Sequence, residues 1–254
     1  MNWAALDWSI LWPACAAGLL VSATHVPLGV EVLKRGIVFI DLAIAQIAGL
    51  GVVLADSLGL EPQGWAVQAC ALAAALAGAL LLTWTEKRWP EVQEATIGVT
   101  FILAASGALL LLASNPHGGE HLKELLVGQI LWVTPARLPL VAIASAILLA
   151  VMIARAERAG RVGFYLVFAV AVTISVQLVG LYLVFTTLIV PALATRRLAR
   201  YRISTAYALS AAGYILGLVV SSLTDLPSGP AIVCMMAALA LPVFALSGRG
   251  ARAA

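Results

Sequence analysis

Repeated apolar runs of about twenty residues are the feature that most restricts how this chain can fold. Of its 254 residues, 63% are hydrophobic and only 11% are charged. Soluble domains typically contain about 25% charged residues, and a soluble fold of this length has too little interior to bury so much apolar surface. The sequence therefore predicts an all-α protein that crosses a membrane several times.

The apolar runs predict eight or nine transmembrane helices. Seven of them have a length that suits a hydrocarbon core of about 30 Å: Trp8–Val30, Gly36–Leu58, Gly64–Trp84, Ala95–Ser114, Leu138–Ala154, Ser204–Leu223 and Pro230–Leu246. The uncharged stretch Val162–Thr195 would be about 50 Å long as one helix, which is too long for a single span. We therefore expect it to fold back at Gly180, with a short or re-entrant helix near residues 181–195.

The basic residues predict an orientation. If the N-terminus lies outside and the Val162–Thr195 stretch is a hairpin, all Lys and Arg residues except Lys123 and Arg137 lie inside. This imbalance is what the positive-inside rule requires. We therefore expect a multi-pass protein of a cytoplasmic membrane, with its N-terminus outside and its C-terminus inside. The basic residues placed inside are Lys34, Arg35, Lys87, Arg88, Arg155, Arg158, Arg161, Arg196, Arg197, Arg200, Arg202, Arg249 and Arg252.

Several functions are disfavoured by what the sequence lacks. It has no GxxxxGK[ST] loop, so ATP-driven work needs a partner subunit, and we expect no enzyme activity and no permanently bound cofactor. It has no basic stripe interleaved with aromatic residues, which argues against nucleic-acid binding. The three cysteines lie in apolar runs, as small buried side chains do. Because all connections are short, we expect residues 1–254 to form one transmembrane domain.

Asp41 is the clearest functional candidate, because ionisable groups at membrane depth are costly. It is expected five or six residues into the second span, as a cation ligand or a gate. Alternatively, it pairs near the inner interface with Lys34-Arg35 or with a polar group of another helix. Ala45 and Ala48 share its helix face, which suits a cavity or close helix packing. Gln46 lies about 140° around the helix from Asp41.

His25 is a second candidate within a span. One hypothesis makes it a metal ligand or a proton-sensitive gate. The alternative is a neutral imidazole bonded to a backbone group that Pro27 leaves without a partner.

His117, Glu120 and His121 form the densest polar cluster, between two spans on the predicted outer face. Imidazole and carboxylate groups suit Zn²⁺ and other divalent metals, so one interpretation is a site that receives a cation at the outer mouth. Taken literally, the pattern H-x-x-E-H is also a metalloprotease motif, although Gly118-Gly119 suits a helix interior poorly. The third interpretation is a polar loop before an amphipathic segment, His121–Val133.

Four arginines follow the hairpin, and they indicate either a surface that binds a partner protein or a segment that attaches to the lipid surface. They could belong to a short cytoplasmic helix that docks into a soluble partner, or they could hold the loop at the inner leaflet. Further on, Gly213 and Gly217 are spaced as in GxxxG motifs and predict close helix packing. The four arginines are Arg196, Arg197, Arg200 and Arg202.

Three segments resemble, in order, the motifs of the zinc/manganese (ABC-3 type) permease family. Leu28–Gln46, LGVEVLKRGIVFIDLAIAQ, is similar to a signature in which a Gly and a basic pair precede Asp-Ala-x-Ser-His. Leu125–Leu131, LLVGQIL, is similar to the family's "lfGsiL" segment. Ser175–Thr195, SVQLVGLYLVFTTLIVPALAT, resembles its "svklvGvlLvvalliiPaatA" motif.

The resemblance implies a homodimeric permease that imports a divalent metal by alternating access, with zinc first and manganese second. It implies two cytoplasmic ABC ATPase subunits, which bind the ATP, and a periplasmic or surface metal-binding protein. It also implies that Ala192–Arg202 is the ATPase-coupling segment, which favours the partner-surface interpretation of the arginines.

One position departs from the family pattern. The family's His, four residues after its Asp, is replaced by Ala45, and Gln46 lies on another face of the helix. Either the metal is held differently, by Asp41 with His25, or the substrate differs, for example a metal chelate. The cluster from His117 to His121 could then gather ligands at the entrance. An intramembrane zinc protease stays the alternative from another functional class.

Overall fold

The fold is helical throughout the part of the chain that the structure, a computed structural model, describes: residues 7–61, 64–112, 130–155, 160–198 and 200–250. Within these ranges, eight helices are long and apolar enough to span a membrane, and a ninth is shorter. The predicted all-α polytopic architecture is therefore confirmed. The helices are α1 Trp8–Arg35, α2 Ile40–Ser57, α3 Trp65–Arg88, α4 Gln93–Leu112, α5 Leu138–Arg155, α6 Gly160–Val179, α7 Leu181–Ala194, α8 Arg202–Thr224 and α9 Ser228–Gly250.

The predicted break at Gly180 is also confirmed. Gly180 has φ 88° and ψ 162°, a backbone conformation that is essentially restricted to glycine. α6 ends one residue before it and α7 begins one residue after it. With 14 residues, α7 is about 21 Å long, which is shorter than a hydrocarbon core of about 30 Å.

The start of the second span differs from the prediction. We expected it at Gly36, but α2 begins at Ile40. Gly36 has φ 71°, and this left-handed conformation ends α1 in the way that glycine commonly ends helices. Asp41 is consequently the second residue of α2, and not five or six residues inside the span.

The structure divides into two compact units. The first contains α1, most of α5, α7, α8 and α9. Its helices approach closely at glycines: a methyl group at Gly217 would lie 2.5 Å from the Cα of Ile232, and one at Gly213 would lie 2.9 Å from the Cβ of Met236. The GxxxG motif therefore packs α8 against α9, as predicted.

The second unit contains α2, α3, α4 and α6. Gln93 links three of these helices, because its amide donates to the carbonyl of Leu82 at 3.0 Å and to the hydroxyl of Tyr165 at 3.1 Å. The hydroxyl of Thr85 donates to Gln93 Oε1 at 3.0 Å. Hydrogen bonds between polar side chains are a common means of joining helices in a membrane. This network fixes the start of α4, which carries Glu94, a residue of the candidate functional site.

Candidate functional site

Asp41 lies in the first turn of α2, and its side chain is fully buried, with 0% exposed. Neither carboxylate oxygen has a hydrogen-bond partner among the described residues. Leaving a buried charged group without a partner costs more than about 1–3 kcal/mol. A buried carboxylate with two free oxygens is therefore suited to bind a cation.

The pairing of Asp41 with the basic residues before α2 is not observed. Lys34 Nζ lies 3.6 Å from Glu31 Oε2, and Arg35 Nε lies 3.1 Å from Glu31 Oε1. Both pairs are formed within α1, where residues three and four apart are neighbours. Glu31 therefore accepts the ion pairs that we had considered for Asp41.

Glu94 is a second carboxylate near Asp41, and we did not predict it from the sequence. Its Oε1 accepts a hydrogen bond of 3.3 Å from the backbone N–H of Phe39, immediately before α2. Its Oε2 is buried and has no hydrogen-bond partner in the part of the chain that is described. The hydrogen bond from Phe39 holds the Glu94 side chain at the start of α2, where Asp41 also lies.

A sequence signal for Glu94 existed. Asp41 lies six residues after Arg35, and Glu94 lies six residues after Arg88. Both arginines end basic pairs that we had placed on the same side of the membrane. Equal spacing from the two basic pairs therefore predicts a similar membrane depth for the two carboxylates. Each is also the second residue of its helix, α2 or α4.

The face of α2 that Asp41 shares with two alanines is buried. Ala45 and Ala48 are each 4% exposed, whereas Gln46 is half-buried. Ala45 therefore presents a methyl group at the position where a histidine would present a nitrogen atom for metal binding. That Ala45 and Gln46 line the translocation path stays a prediction.

His25 is fully buried in α1. Its Nδ1 lies 3.0 Å from the carbonyl oxygen of Val21 and 3.0 Å from the hydroxyl of Thr24. The carbonyl that Pro27 leaves without its helical donor is that of Ala23, four residues earlier, and it accepts the hydroxyl of Tyr207 at 2.8 Å instead. We had considered that His25 bonds to the backbone group that Pro27 leaves free. The imidazole does bond to the backbone, but to the carbonyl of Val21 and not to that of Ala23.

Among the described residues, no group of three or more His, Cys, Asp or Glu side chains that could hold a metal occurs. His25 belongs to the first unit and Asp41 to the second. Their joint role as ligands stays a prediction.

The cluster His117, Glu120 and His121 lies outside the described residues. The metal-receiving mouth, the protease motif and the polar loop therefore all stay predictions.

The arginines after α7 lie on the connection to α8. The guanidinium groups of Arg196 and Arg197 lie 5.3 Å and 5.2 Å from the ring centroid of Phe244 in α9, and that of Arg200 lies 5.5 Å from the Tyr201 ring. Arg202 begins α8. The described residues between α7 and α8 form turns and bends, so the separate short helix that we had considered is not observed among them.

Comparison with known proteins gives a family match and a similar transport protein. The ABC 3 transport family matches residues 7–159 and 158–247. The chain is 26% identical, over 91% of its length and 95% of the relative's, to the high-affinity zinc uptake system membrane protein ZnuB of Haemophilus influenzae.

Two solved structures share the fold. One is PsaBC from Streptococcus pneumoniae in complex with Fab, with a TM-score of 0.74, 21% identity and coverage of 92% of this chain and 91% of that chain. The other is described as a candidate metal-chelate type ABC transporter in an inward-facing conformation. It has a TM-score of 0.68, 15% identity and coverage of 94% of this chain and 85% of that chain.

Proposed function

The chain belongs to the ABC 3 transport family, and on that premise we propose that it is the permease subunit of an ATP-driven importer for divalent metal ions. Zinc is the first candidate substrate and manganese the second. The observation that most supports this function is Asp41, fully buried with both oxygens unpartnered at the start of a membrane-spanning helix. A zinc uptake function in the ZnuB relative supports the same substrate class.

The proposed importer needs partner subunits. The chain contains no nucleotide-binding loop of the GxxxxGK[ST] type, so ABC ATPase subunits on the cytoplasmic side would bind and hydrolyse ATP. A binding protein outside the membrane would deliver the metal, and two copies of this chain would form the pathway. The chain would lie in the bacterial inner membrane with its N-terminus outside and its C-terminus inside, as the positive-inside rule favours.

The proposed mechanism is alternating access. ATP-driven closure of the ATPase subunits would push on the segment 192–202, where Arg196, Arg197 and Arg200 are exposed. That movement would pass to α8 and α9, because Arg196 and Arg197 lie against Phe244. Helices around Asp41 would then expose the bound ion to one side of the membrane and then to the other.

A metal chelate is the second candidate substrate. Ala45 occupies the position of the family's histidine, so a nitrogen ligand for a free ion is missing there. A chelate brings its own ligands and would need fewer from the protein.

Transport by the reconstituted complex tests the function. The permease would be co-purified with its ATPase, placed in proteoliposomes and supplied with its binding protein and Zn²⁺, Mn²⁺, Fe²⁺ or Co²⁺. We expect ATP-dependent uptake and stimulated ATP hydrolysis with at least one of these ions, and Zn²⁺ to give the highest rate. Uptake only with a preformed chelate would favour the second candidate. No response to any metal or chelate would overturn the proposal.

A further inference from the structure

We infer that Glu94 and Asp41 bind the transported divalent cation together, through carboxylate oxygens, at the predicted cytoplasmic end of the pathway. This inference rests on the proposed function and adds a residue to it. Glu94 is the new element, since neither the sequence motifs nor the comparisons point to it.

Three oxygen atoms at this end of the second unit lack partners. Both oxygens of Asp41 and the Oε2 of Glu94 are buried without a hydrogen bond to any described residue. The fourth oxygen, Glu94 Oε1, bonds to the N–H of Phe39, two residues before Asp41. This bond holds the Glu94 side chain at the start of α2. The free oxygen atoms therefore belong to two different helices, and both side chains lie at the start of α2.

Electrostatics favours a cation between these groups. Asp41 is fully buried and Glu94 is half-buried. Two neighbouring carboxylates repel each other, and a cation between them turns the repulsion into attraction. Two basic side chains of the described residues are paired with other carboxylates: Arg161 Nε lies 3.7 Å from Glu86 Oε1, and Lys34 Nζ lies 3.6 Å from Glu31 Oε2. A mobile cation would supply the positive charge that Asp41 and Glu94 lack.

The donor set also suits a transported ion. Carboxylate oxygens bind Mn²⁺ well, and Zn²⁺ accepts them beside nitrogen ligands. Two carboxylates cannot complete the coordination of either ion, so the remaining positions stay open to water. Partial coordination makes release easier than a closed four-ligand site would, as transport requires.

A purely structural role for Glu94 is the competing explanation, since Oε1 joins the start of α4 to Phe39. The substitution Glu94→Gln separates the two roles. The Gln carbonyl can still accept the Phe39 N–H, but the negative charge and the anionic oxygen are lost. Glu91→Gln is the matched control, because Glu91 lies three residues earlier on the exposed turn before α4.

The experiment measures metal binding and uptake by the complex. Equilibrium binding of Zn²⁺ and Mn²⁺ would be compared for the unmodified complex, Glu94→Gln, Asp41→Asn and Glu91→Gln. We expect Glu94→Gln to lose at least about tenfold in metal affinity, since even outer-shell changes at metal sites cost 10–100-fold. Asp41→Asn should lose at least as much, and Glu91→Gln should match the unmodified protein. Glu94→Asp, which keeps the charge, should recover part of the affinity.

The results distinguish this inference from the proposed function. If the unmodified complex imports metal and Glu94→Gln binds and imports it equally well, the inference is wrong and the function stands. If the unmodified complex imports no metal, the function fails. Binding that is weakened equally by Asp41→Asn and Glu94→Gln would still support the paired site. Co-purification with the ATPase shows whether each variant assembles. If Glu94→Gln does not assemble, Glu94→Asp decides, because normal affinity in that shorter side chain would contradict a role as a ligand.

Discussion

The Nδ1 atom of His25 lies 3.0 Å from the carbonyl oxygen of Val21, one helical turn earlier. Because a carbonyl can only accept, Nδ1 holds the hydrogen. In a neutral ring Nε2 then has a lone pair, and Nε2 is buried without a partner among the described residues. A backbone carbonyl that fixes the tautomer in this way is the usual support of a metal-binding imidazole.

Substitution of His25 tests whether Nε2 functions in transport. In His25→Asn, the side-chain amide can donate to Val21 as Nδ1 does, but nothing replaces Nε2. We expect metal uptake to fall at least about tenfold, in the range for lost metal-site interactions, while the complex still assembles. His25→Gln, which places a polar group near the position of Nε2, should retain more uptake. Equal, normal uptake by both variants would assign His25 to packing alone.

Gly180 should be intolerant of any side chain. Its φ of 88° and ψ of 162° fall in a region that costs a residue with a Cβ about 1–3 kcal/mol. We expect Gly180→Ala to lower the apparent melting temperature of the purified complex. Gly98→Ala is the control, since no atom lies within 4 Å of the added methyl group. It should leave the melting temperature unchanged or raise it, because alanine favours the helix. Equal melting of both variants would contradict the strained break.

The arginines beside Phe244 should link transport to ATP hydrolysis. Each guanidinium–ring contact at an exposed site contributes about 0.5–1 kcal/mol, so two of them hold the connection after α7 against α9. We expect the double substitution Arg196→Gln/Arg197→Gln to weaken ATPase binding and to reduce the uptake per ATP hydrolysed. Pull-down of the ATPase subunit and the ratio of uptake to hydrolysis measure both effects.

The control for this prediction removes the same charge elsewhere. Lys87→Gln/Arg88→Gln changes two basic residues at the end of α3, which we also expect inside. If both double variants lose ATPase binding equally, the effect comes from total charge, and the connection has no special role.

The sequence predicted the helices well because their lengths are set by the membrane. The break at Gly180 followed from one comparison, between the length of an uncharged stretch and the thickness of a bilayer. The start of α2 was missed because it depends on the local backbone at Gly36, whose φ of 71° leaves no mark in hydropathy. Boundaries of this kind are fixed by turn geometry, which apolar runs do not reveal.

The candidate site was only partly predictable. Asp41 was evident, since a charge in an apolar run is costly wherever the run packs. Glu94 was missed, because its sequence signal, the same six-residue spacing from a basic pair, gains meaning only once α2 and α4 are known to be neighbours. The same holds for the Ala23 carbonyl, whose partner Tyr207 lies 184 residues further along the chain. Contacts of this kind depend on which helices pack together, and a single sequence does not reveal helix packing.

Uptake of radioactive zinc and manganese by proteoliposomes containing Asp41→Asn is the most direct test of the central claim. Asparagine has nearly the same shape as aspartate but lacks its charge, so packing around α2 should be retained and the ATPase should still bind. We predict ATP-dependent metal uptake by the unmodified complex and none above background by Asp41→Asn. Normal uptake by the assembled Asp41→Asn complex would remove Asp41 from the pathway and contradict the proposed mechanism.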